Sequence, residues 1–231
     1  MKVIGLLGGM SWESTLEYYR IINETVKERL GGLHSAKCIL YSFDFAEIES
    51  LQREGDWDKL AEMLIDAAKK LEACGAGLIV ICTNTMHKLA DKVEAKINIP
   101  LIHIVDATAE KILEKNIKQV GLLGTRFTME EPFYKRRLEE KYGIKVIIPN
   151  SKEREIVDRV IFEELVLGII RQSSRERFKQ IIYSLVDRGA EGIILGCTEI
   201  PLLIKQEDVT VPVFDTTTIH ARAAVEFALR D

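Results

Sequence analysis

Two stretches of this chain are near copies of each other. The first, LEACGAGLIVICTNTMHKL, covers residues 71–89, and the second, LVDRGAEGIILGCTEIPLL, covers residues 185–203. An offset of 114 residues aligns them and carries Thr83 onto Cys197. Each copy is an aliphatic run followed by polar residues, the pattern of a buried strand and the loop at its carboxyl end. We therefore expect a duplicated fold in which one polar loop from each half faces a shared cleft.

A second pair of copies lies upstream of the first. VIGLLGGM begins at Val3 and QVGLLGTR begins at Gln119, which places Gly5 on Gly121 at an offset of 116 residues. Two strand-and-loop units thus recur about half a chain apart, and a chain of 231 residues is long enough for two small domains.

The composition is that of an ordinary soluble globular protein. Hydrophobic residues make up 47% and charged residues 29%, and the net charge of −4 gives no electrostatic footprint for nucleic acid. No apolar run approaches the ~18 residues of a membrane helix, so no membrane partner is expected. The N-terminus is predicted to be a strand and not an export signal. Four cysteines in no zinc or redox spacing favour a cytoplasmic protein.

Short aliphatic runs alternate with helical patterns, which is typical of an α/β fold with parallel sheets covered on both faces. We predict two similar doubly wound parallel-sheet domains, the first comprising residues 1–105 plus 210–231 and the second residues 106–209. The last strand and helix, from Thr210, are expected to return to the first domain. The predicted strands are 3–7, 38–41, 78–82, 101–104, 120–123, 146–148, 192–195 and 211–214.

Ligands of such folds bind outside the carboxyl ends of the strands. The loops predicted at that edge are 8–12, 42–52, 83–85, 125–128 and 197–199. In the first of them, Gly8 and Gly9 lack the spacing of a dinucleotide fingerprint. Ser11 is either the N-cap of a plain turn or, with the loop N–H groups, part of an anion site at a helix start.

Thr83, Asn84 and Thr85 form a dense polar triplet just past a buried strand. Their side chains either hold a substrate carboxylate or only cap the next helix. If Thr83 faces the cleft, strand alternation turns Cys82 towards the core. Cys38 and Cys74 are likewise interpreted as buried apolar residues.

Cys197 lies among polar neighbours, Thr198 and Glu199, at an expected helix start. A thiol in that position has a lowered pKa and gives a usable thiolate. None of the four histidines forms a metal-ligand pair at helical spacing, so no metal is expected. His87 and His220 either support proton transfer or make structural hydrogen bonds.

With GGMSWEST, CTNTMH and GCTEI in order and spacing, the chain resembles the aspartate/glutamate racemase family, in particular its broad-specificity amino-acid racemases. The resemblance covers nearly the whole length. It implies two α/β domains related by a pseudo-twofold axis, a substrate between them, no cofactor (hence independence of pyridoxal phosphate) and a homodimer. It also implies a two-base mechanism, in which one cysteine removes the α-proton and a second delivers a proton to the opposite face.

The sequence departs from that pattern at two places. The family's first cysteine aligns with Thr83, so the expected pair is Thr83 and Cys197, with the thiolate as the competent base and the hydroxyl as a relay. The arginine and lysine with which aspartate racemases grip carboxylates are replaced in the matching regions, Glu49–Gln52 and Glu164–Gly168. Gln52 is the predicted side-chain contact, and strict aspartate selectivity is not expected.

We therefore predict an amino-acid racemase acting on aspartate, glutamate or a related polar amino acid. Two alternatives remain open: a one-cysteine lyase or isomerase of a dicarboxylate, and a non-catalytic amino-acid binder. The residues expected to hold the substrate are Met10, Ser11, Gln52, Asn84, Thr85, Thr198 and Glu199.

Overall fold

A computed structural model describes residues 1–230 of the chain. Its internal contacts divide the chain into two compact units. The first unit consists of Met1–Ile104 and the segment from His220 onward, and the second of Val105–Ile219.

The first unit contains a parallel four-stranded sheet in the order β2-β1-β3-β4. Its strands are β1 (Ile4–Gly8), β2 (Cys38–Ser42), β3 (Leu78–Ile81) and β4 (Leu101–Ile102). The helices that begin in this part of the chain are α1 (Trp12–Leu30), α2 (Phe45–Glu54), α3 (Trp57–Ala73), a 3-10 helix (Thr85–Leu89), α4 (Ala90–Glu94) and α5 (Ile104–Leu113).

The second unit repeats this topology with a parallel sheet in the order β6-β5-β7-β8. Its strands are β5 (Gln119–Gly124), β6 (Lys145–Ile147), β7 (Gly192–Gly196) and β8 (Val213–Asp215). The helices that follow α5 are α6 (Arg126–Glu130), α7 (Pro132–Arg136), a π-helical turn (Arg137–Lys141), α8 (Ser151–Glu163), a 3-10 turn (Leu165–Leu167), α9 (Gln172–Asp187), α10 (Ile200–Leu203), a 3-10 turn (Gln206–Asp208) and α11 (Thr216–Leu229).

Strand β3 shows why these sequences form sheets buried on both faces. Ile79 and Ile81 pack into one core with helix α3, whereas Leu78, Val80 and Cys82 pack into the core on the other face. Side chains alternate across a strand, so a fully apolar strand requires a helix layer on each side. The α/β expectation of two parallel sheets flanked by helices is confirmed.

The glycines shared by the two repeats lie where the packing leaves no space for a side chain. A Cβ added at Gly5 would lie 3.0 Å from the Ile79 side chain, and one at Gly121 would lie 2.7 Å from the Ile193 side chain. Ile79 and Ile193 are themselves related by the 114-residue offset, so the same close contact recurs in both units.

Three expectations about elements are wrong. The strand expected to return to the first domain is β8, and it pairs with β7 of the second sheet, while the chain joins the first unit only from His220. The predicted loop 42–52 contains α2, capped by Asp44 and ended by Gly55 in the left-handed region. The helical pattern of residues 86–97 predicts a single helix, whereas the structure has a 3-10 helix followed by the short α4.

All eight predicted strands are present, with bounds shifted by up to two residues. Within residues 1–230, none of the helices combines the length and the apolar character that crossing a membrane requires.

Candidate active site

The loop after β1 is built by two glycines that no other residue could replace without displacing its neighbours. Gly9 has φ of 81°, and a Cβ there would lie 2.6 Å from the Phe43 nitrogen. A Cβ on Gly8 would lie 2.8 Å from the Thr15 hydroxyl, which accepts a 2.8 Å hydrogen bond from the Gly9 N–H group. Ser11 is the N-cap of α1 and accepts from the Ser14 N–H group at 3.3 Å, so of the two roles left open for it the cap is observed.

This loop lies beside the loop after β3. The Ser14 hydroxyl is 3.0 Å from the Ser11 carbonyl oxygen and 3.4 Å from the Cys82 carbonyl oxygen. Met10 is buried in the hydrophobic core, so only its backbone is available to a ligand. The structure thus brings the two predicted binding loops of the first unit together.

The polar triplet after β3 is largely enclosed. Asn84 and Thr85 are buried and Thr83 is half-buried. Asn84 precedes the 3-10 helix without a side-chain capping bond, so capping does not explain its identity. Cys82 is fully buried in the core with Leu78 and Val80, so the expectation that Cys82 faces the core is confirmed.

Gln52 lies on α2 and not in a loop. It is 7% exposed, and its amide nitrogen is 3.1 Å from the Met86 sulfur. This contact places the Gln52 amide beside the 3-10 helix that follows Thr83.

The second unit contributes the triplet Cys197, Thr198 and Glu199. The Cys197 thiol donates to Glu199 Oε2 over 3.0 Å, and the Thr198 hydroxyl donates to the same oxygen over 2.7 Å. Cys197 is 7% exposed and belongs to the buried cluster that also holds Ile193 and Leu195. All three polar side chains are buried.

The pKa of the Cys197 thiol is raised well above its ordinary value, first by burial, then by the Glu199 charge and hydrogen bond, with a smaller effect of Asp158. The expectation of a lowered pKa is therefore wrong. Helix α10 is only four residues long, and the loss of hydration outweighs any help from its N-terminus. The resting species at neutral pH is the thiol, held by the Glu199 carboxylate.

Thr83 and Cys197 occupy equivalent places in their units. Thr83 comes two residues after β3, the third strand in the order of its sheet, and Cys197 comes directly after β7, which is third in the other sheet. The internal repeat had predicted this correspondence.

The other cysteines are mixed in their environments. Cys38 is half-buried, whereas Cys74 at the end of α3 is exposed, so its interpretation as a buried residue is wrong.

In the region expected to hold a family lysine, Glu164 accepts from the Ser174 hydroxyl at 2.7 Å and from Arg171 at 3.4 Å. Residues 1–230 contain no group of three or more His, Cys, Asp and Glu side chains arranged to hold a metal ion.

Thr217 is a candidate that the sequence reasoning missed. It is the second residue of α11, two residues after the end of β8. It is 3% exposed, and its hydroxyl has no hydrogen-bond partner among the described residues. Its backbone N–H group donates to the Asp215 carboxylate at 3.0 Å. The signal was the run DTTT at 215–218, a polar cluster after a buried strand of the same kind as Thr83–Thr85.

Known proteins are similar to this chain in sequence and in fold. The broad-specificity amino-acid racemase RacX of Bacillus subtilis (strain 168) is 24% identical over 229 residues, which is 96% of each chain. The crystal structure of a candidate Asp/Glu racemase from Yersinia pestis is 58% identical, covers 100% of both chains and superposes with a TM-score of 0.94. An aspartate racemase homologue from Pyrococcus horikoshii OT3 is 42% identical, with full coverage of both chains and a TM-score of 0.88. The family profile described as Asp/Glu/Hydantoin racemase matches residues 7–224, and the chain therefore belongs to that family of racemases.

Proposed function

We propose that the protein is a cofactor-independent racemase of aspartate, glutamate or a related polar amino acid. The observation that carries the proposal is the pair Thr83 and Cys197, one in each unit, at equivalent places after equivalent strands. Racemisation moves the α-proton from one face of a tetrahedral carbon to the other, so it needs one group on each face. Membership of a racemase family supports the same reading.

Cys197 is the base in this proposal, and Glu199 activates it. The thiol proton passes to Glu199 Oε2, which already accepts it over 3.0 Å, and the thiolate then removes the substrate α-proton. The electron pair of the broken C–H bond remains on the substrate as an enolate-like carbanion. Donors around the substrate carboxylate stabilise that charge, and the Thr83 hydroxyl delivers a proton to the opposite face and regains one from water. Glu199 releases its proton to the hydroxide left by that water, which restores the resting state.

The substrate carboxylates and amine are held by the polar residues of the two sets of loops. The residues proposed for this are Met10 through its backbone, Ser11, Gln52, Asn84, Thr85, Thr198 and Glu199. A neutral amide at Gln52 cannot form the bidentate ion pair of an arginine, so we propose a broad preference among polar amino acids.

A threonine hydroxyl is a weak base, and the two directions of turnover need not have equal kcat. The equilibrium constant between enantiomers in water is one, so kcat/KM for the two must be equal. The asymmetry should appear in kcat and KM separately, and a strongly unequal kcat/KM would contradict simple reversible racemisation.

The proposal is tested by proton NMR of the L and D forms of a panel of amino acids in heavy water. We expect loss of the α-proton signal, together with formation of the other enantiomer on chiral chromatography of the same samples, and Cys197→Ala should abolish both. Exchange retained in Cys197→Ala would remove this thiol from the mechanism. A mass change in the product would indicate the lyase, and tight binding without exchange would indicate a non-catalytic binder.

We also propose that the protein is a homodimer, as the resemblance to the family implies, and that it is cytoplasmic, as its few cysteines favour. Trp12, Leu16 and Tyr19 lie at helical spacing on α1 and are 65%, 55% and 55% exposed, an unusual apolar content for a free helix face. Sedimentation equilibrium should give twice the chain mass of 26.2 kDa, and a monomer at micromolar concentration would contradict the dimer.

A further inference from the structure

The mechanism above leaves three buried histidines of the first unit unused. His87, His103 and His220 are 3%, 8% and 0% exposed. The ring centroids of His87 and His103 are 4.8 Å apart, and those of His87 and His220 are 5.4 Å apart. Three imidazoles packed this closely away from water cannot all be charged, so their hydrogen bonds determine which ring nitrogens carry protons.

Both nitrogens of His87 have backbone partners that fix the tautomer. Nδ1 is 2.7 Å from the Thr83 carbonyl oxygen, which can only accept, so Nδ1 carries the proton. Nε2 is 3.2 Å from the Ile104 nitrogen, which can only donate, so Nε2 is the acceptor. His87 is therefore neutral, and its ring joins the loop after β3 to the first residue of α5.

The local helix type explains why the Thr83 carbonyl needs this side chain. In an α-helix the His87 N–H group would bond to the Thr83 carbonyl four residues earlier. In the 3-10 helix it bonds instead to the Asn84 carbonyl at 3.0 Å, which leaves the Thr83 carbonyl to the imidazole. The Thr83 N–H group bonds to the Ile81 carbonyl at 2.9 Å, so both backbone polar groups of Thr83 are held.

The His87 ring is itself fixed by its neighbours. His220 Nε2 donates to the Ile102 carbonyl oxygen at 2.6 Å, and its Nδ1 accepts from the Tyr18 hydroxyl at 2.8 Å. The two hydrogen bonds fix the His220 ring, and the His220 ring packs against the His87 ring.

We propose that His87 is a positioning residue, which fixes the Thr83 hydroxyl for proton transfer through the Nδ1–H bond to the Thr83 carbonyl. The inference rests on the proposed racemisation, because it assigns His87 to the Thr83 face of the reaction and not to the Cys197 face. A displacement of about 1 Å of a reacting group can lower a rate by about a hundredfold, so one backbone anchor is enough to matter.

Two amide substitutions separate the two hydrogen bonds of the His87 ring. In His87→Asn the amide nitrogen takes the place of Nδ1 and can still donate to Thr83, whereas in His87→Gln the amide oxygen takes the place of Nε2 and keeps only the Ile104 bond. We expect His87→Asn to racemise within about threefold of the wild type, and His87→Gln to lose at least about tenfold in kcat with little change in KM. Equal losses in both variants would overturn the proposal.

A second readout distinguishes positioning from general damage to the fold. With L- and D-aspartate and L- and D-glutamate in heavy water, His87→Gln should still incorporate deuterium with retention of configuration on the Cys197 face, while inversion falls. Leu71→Ala, which opens a cavity in the core near the amino end of β3, should change retention and inversion in parallel. Parallel loss of both in folded His87→Gln would overturn the proposal.

If His87→Gln does not fold, the proposal is tested on the wild-type protein by measuring the tautomer of His87. The ¹⁵N shifts of His87 should show Nδ1 protonated and Nε2 unprotonated between pH 6 and 8, and the reverse tautomer would overturn the proposal. If the wild type exchanges no α-proton of any of the four substrates, the proposed function fails, while the tautomer measurement still tests the anchor of Thr83.

Discussion

At the scale of single residues, the chemistry depends on how Glu199 controls the Cys197 thiol. Burial and the Glu199 carboxylate both raise the thiol pKa. In Glu199→Gln the charge is lost, so the pKa should fall, while racemisation should also fall because the proton acceptor is gone. We expect the pH profile of Cys197 alkylation by iodoacetamide to move to lower pH in Glu199→Gln and by a smaller amount in Asp158→Asn. An unchanged profile in both would contradict the electrostatic account.

Thr83 gives a second prediction at the residue scale. Its hydroxyl is a weaker acid and base than a thiol, so Thr83→Cys should raise kcat by about tenfold or more in both directions. Thr83→Val, which has a similar shape without the hydroxyl, should lose inversion. Both rates are followed by chiral chromatography, and equal activity of the cysteine and valine variants would exclude Thr83 as a proton-transfer group.

The same residues show what the sequence could predict about the site. Thr83 and Cys197 were found because the repeat aligns them, and Ser11 because an N-cap is decided by a few neighbouring residues. The thiol pKa was predicted in the wrong direction, because it depends on burial that only the folded chain defines. Thr217 was missed although its polar run was visible in the sequence.

At the scale of elements, the loop after β1 requires glycine for two reasons that can be separated. Gly9 has a positive φ and a backbone contact with Phe43, whereas Gly55 has φ of 76° with nothing within 4 Å of an added Cβ. Gly55→Ala should therefore lower the free energy of unfolding by about 1–2 kcal/mol, through the strained backbone conformation alone. Gly9→Ala should lower it by at least about 1 kcal/mol more, because the chain around Phe43 must also move. Urea unfolding measures both, and equal costs would contradict the close approach.

Element types were predictable where the signal was local. Ser11 was recognised as a possible N-cap from the sequence, and the caps of α2, Asp44 and Gly55, were equally present in it. The 3-10 winding after Thr83 was not predictable, since the His87 ring that takes the Thr83 carbonyl is also held by a tertiary hydrogen bond from the Ile104 nitrogen.

At the scale of the whole molecule, the duplication predicted the two similar sheets, because each repeat carries its own strand, loop and glycine contact. The place of β8 was not predictable, since an apolar run such as Val211–Phe214 fits the edge of either sheet. Only the pairing of β8 with β7 assigns this strand to the second sheet.

Whole-molecule stability should depend on pH through His220, which lies in the packing of the first unit. Burial lowers its pKa from 6.5 to about 4, opposed by the bond to the Ile102 carbonyl. Between those two pH values the unfolded chain binds the proton and the folded protein does not, so stability is complete above pH 6.5 and falls as the pH drops towards 4. The difference corresponds to about 3 kcal/mol. Urea unfolding at pH 7.5 and 4.5 should show this loss in the wild type and in His34→Gln, whose histidine is exposed, and a much smaller loss in His220→Gln. An equal loss in all three proteins would assign the acid sensitivity to other groups.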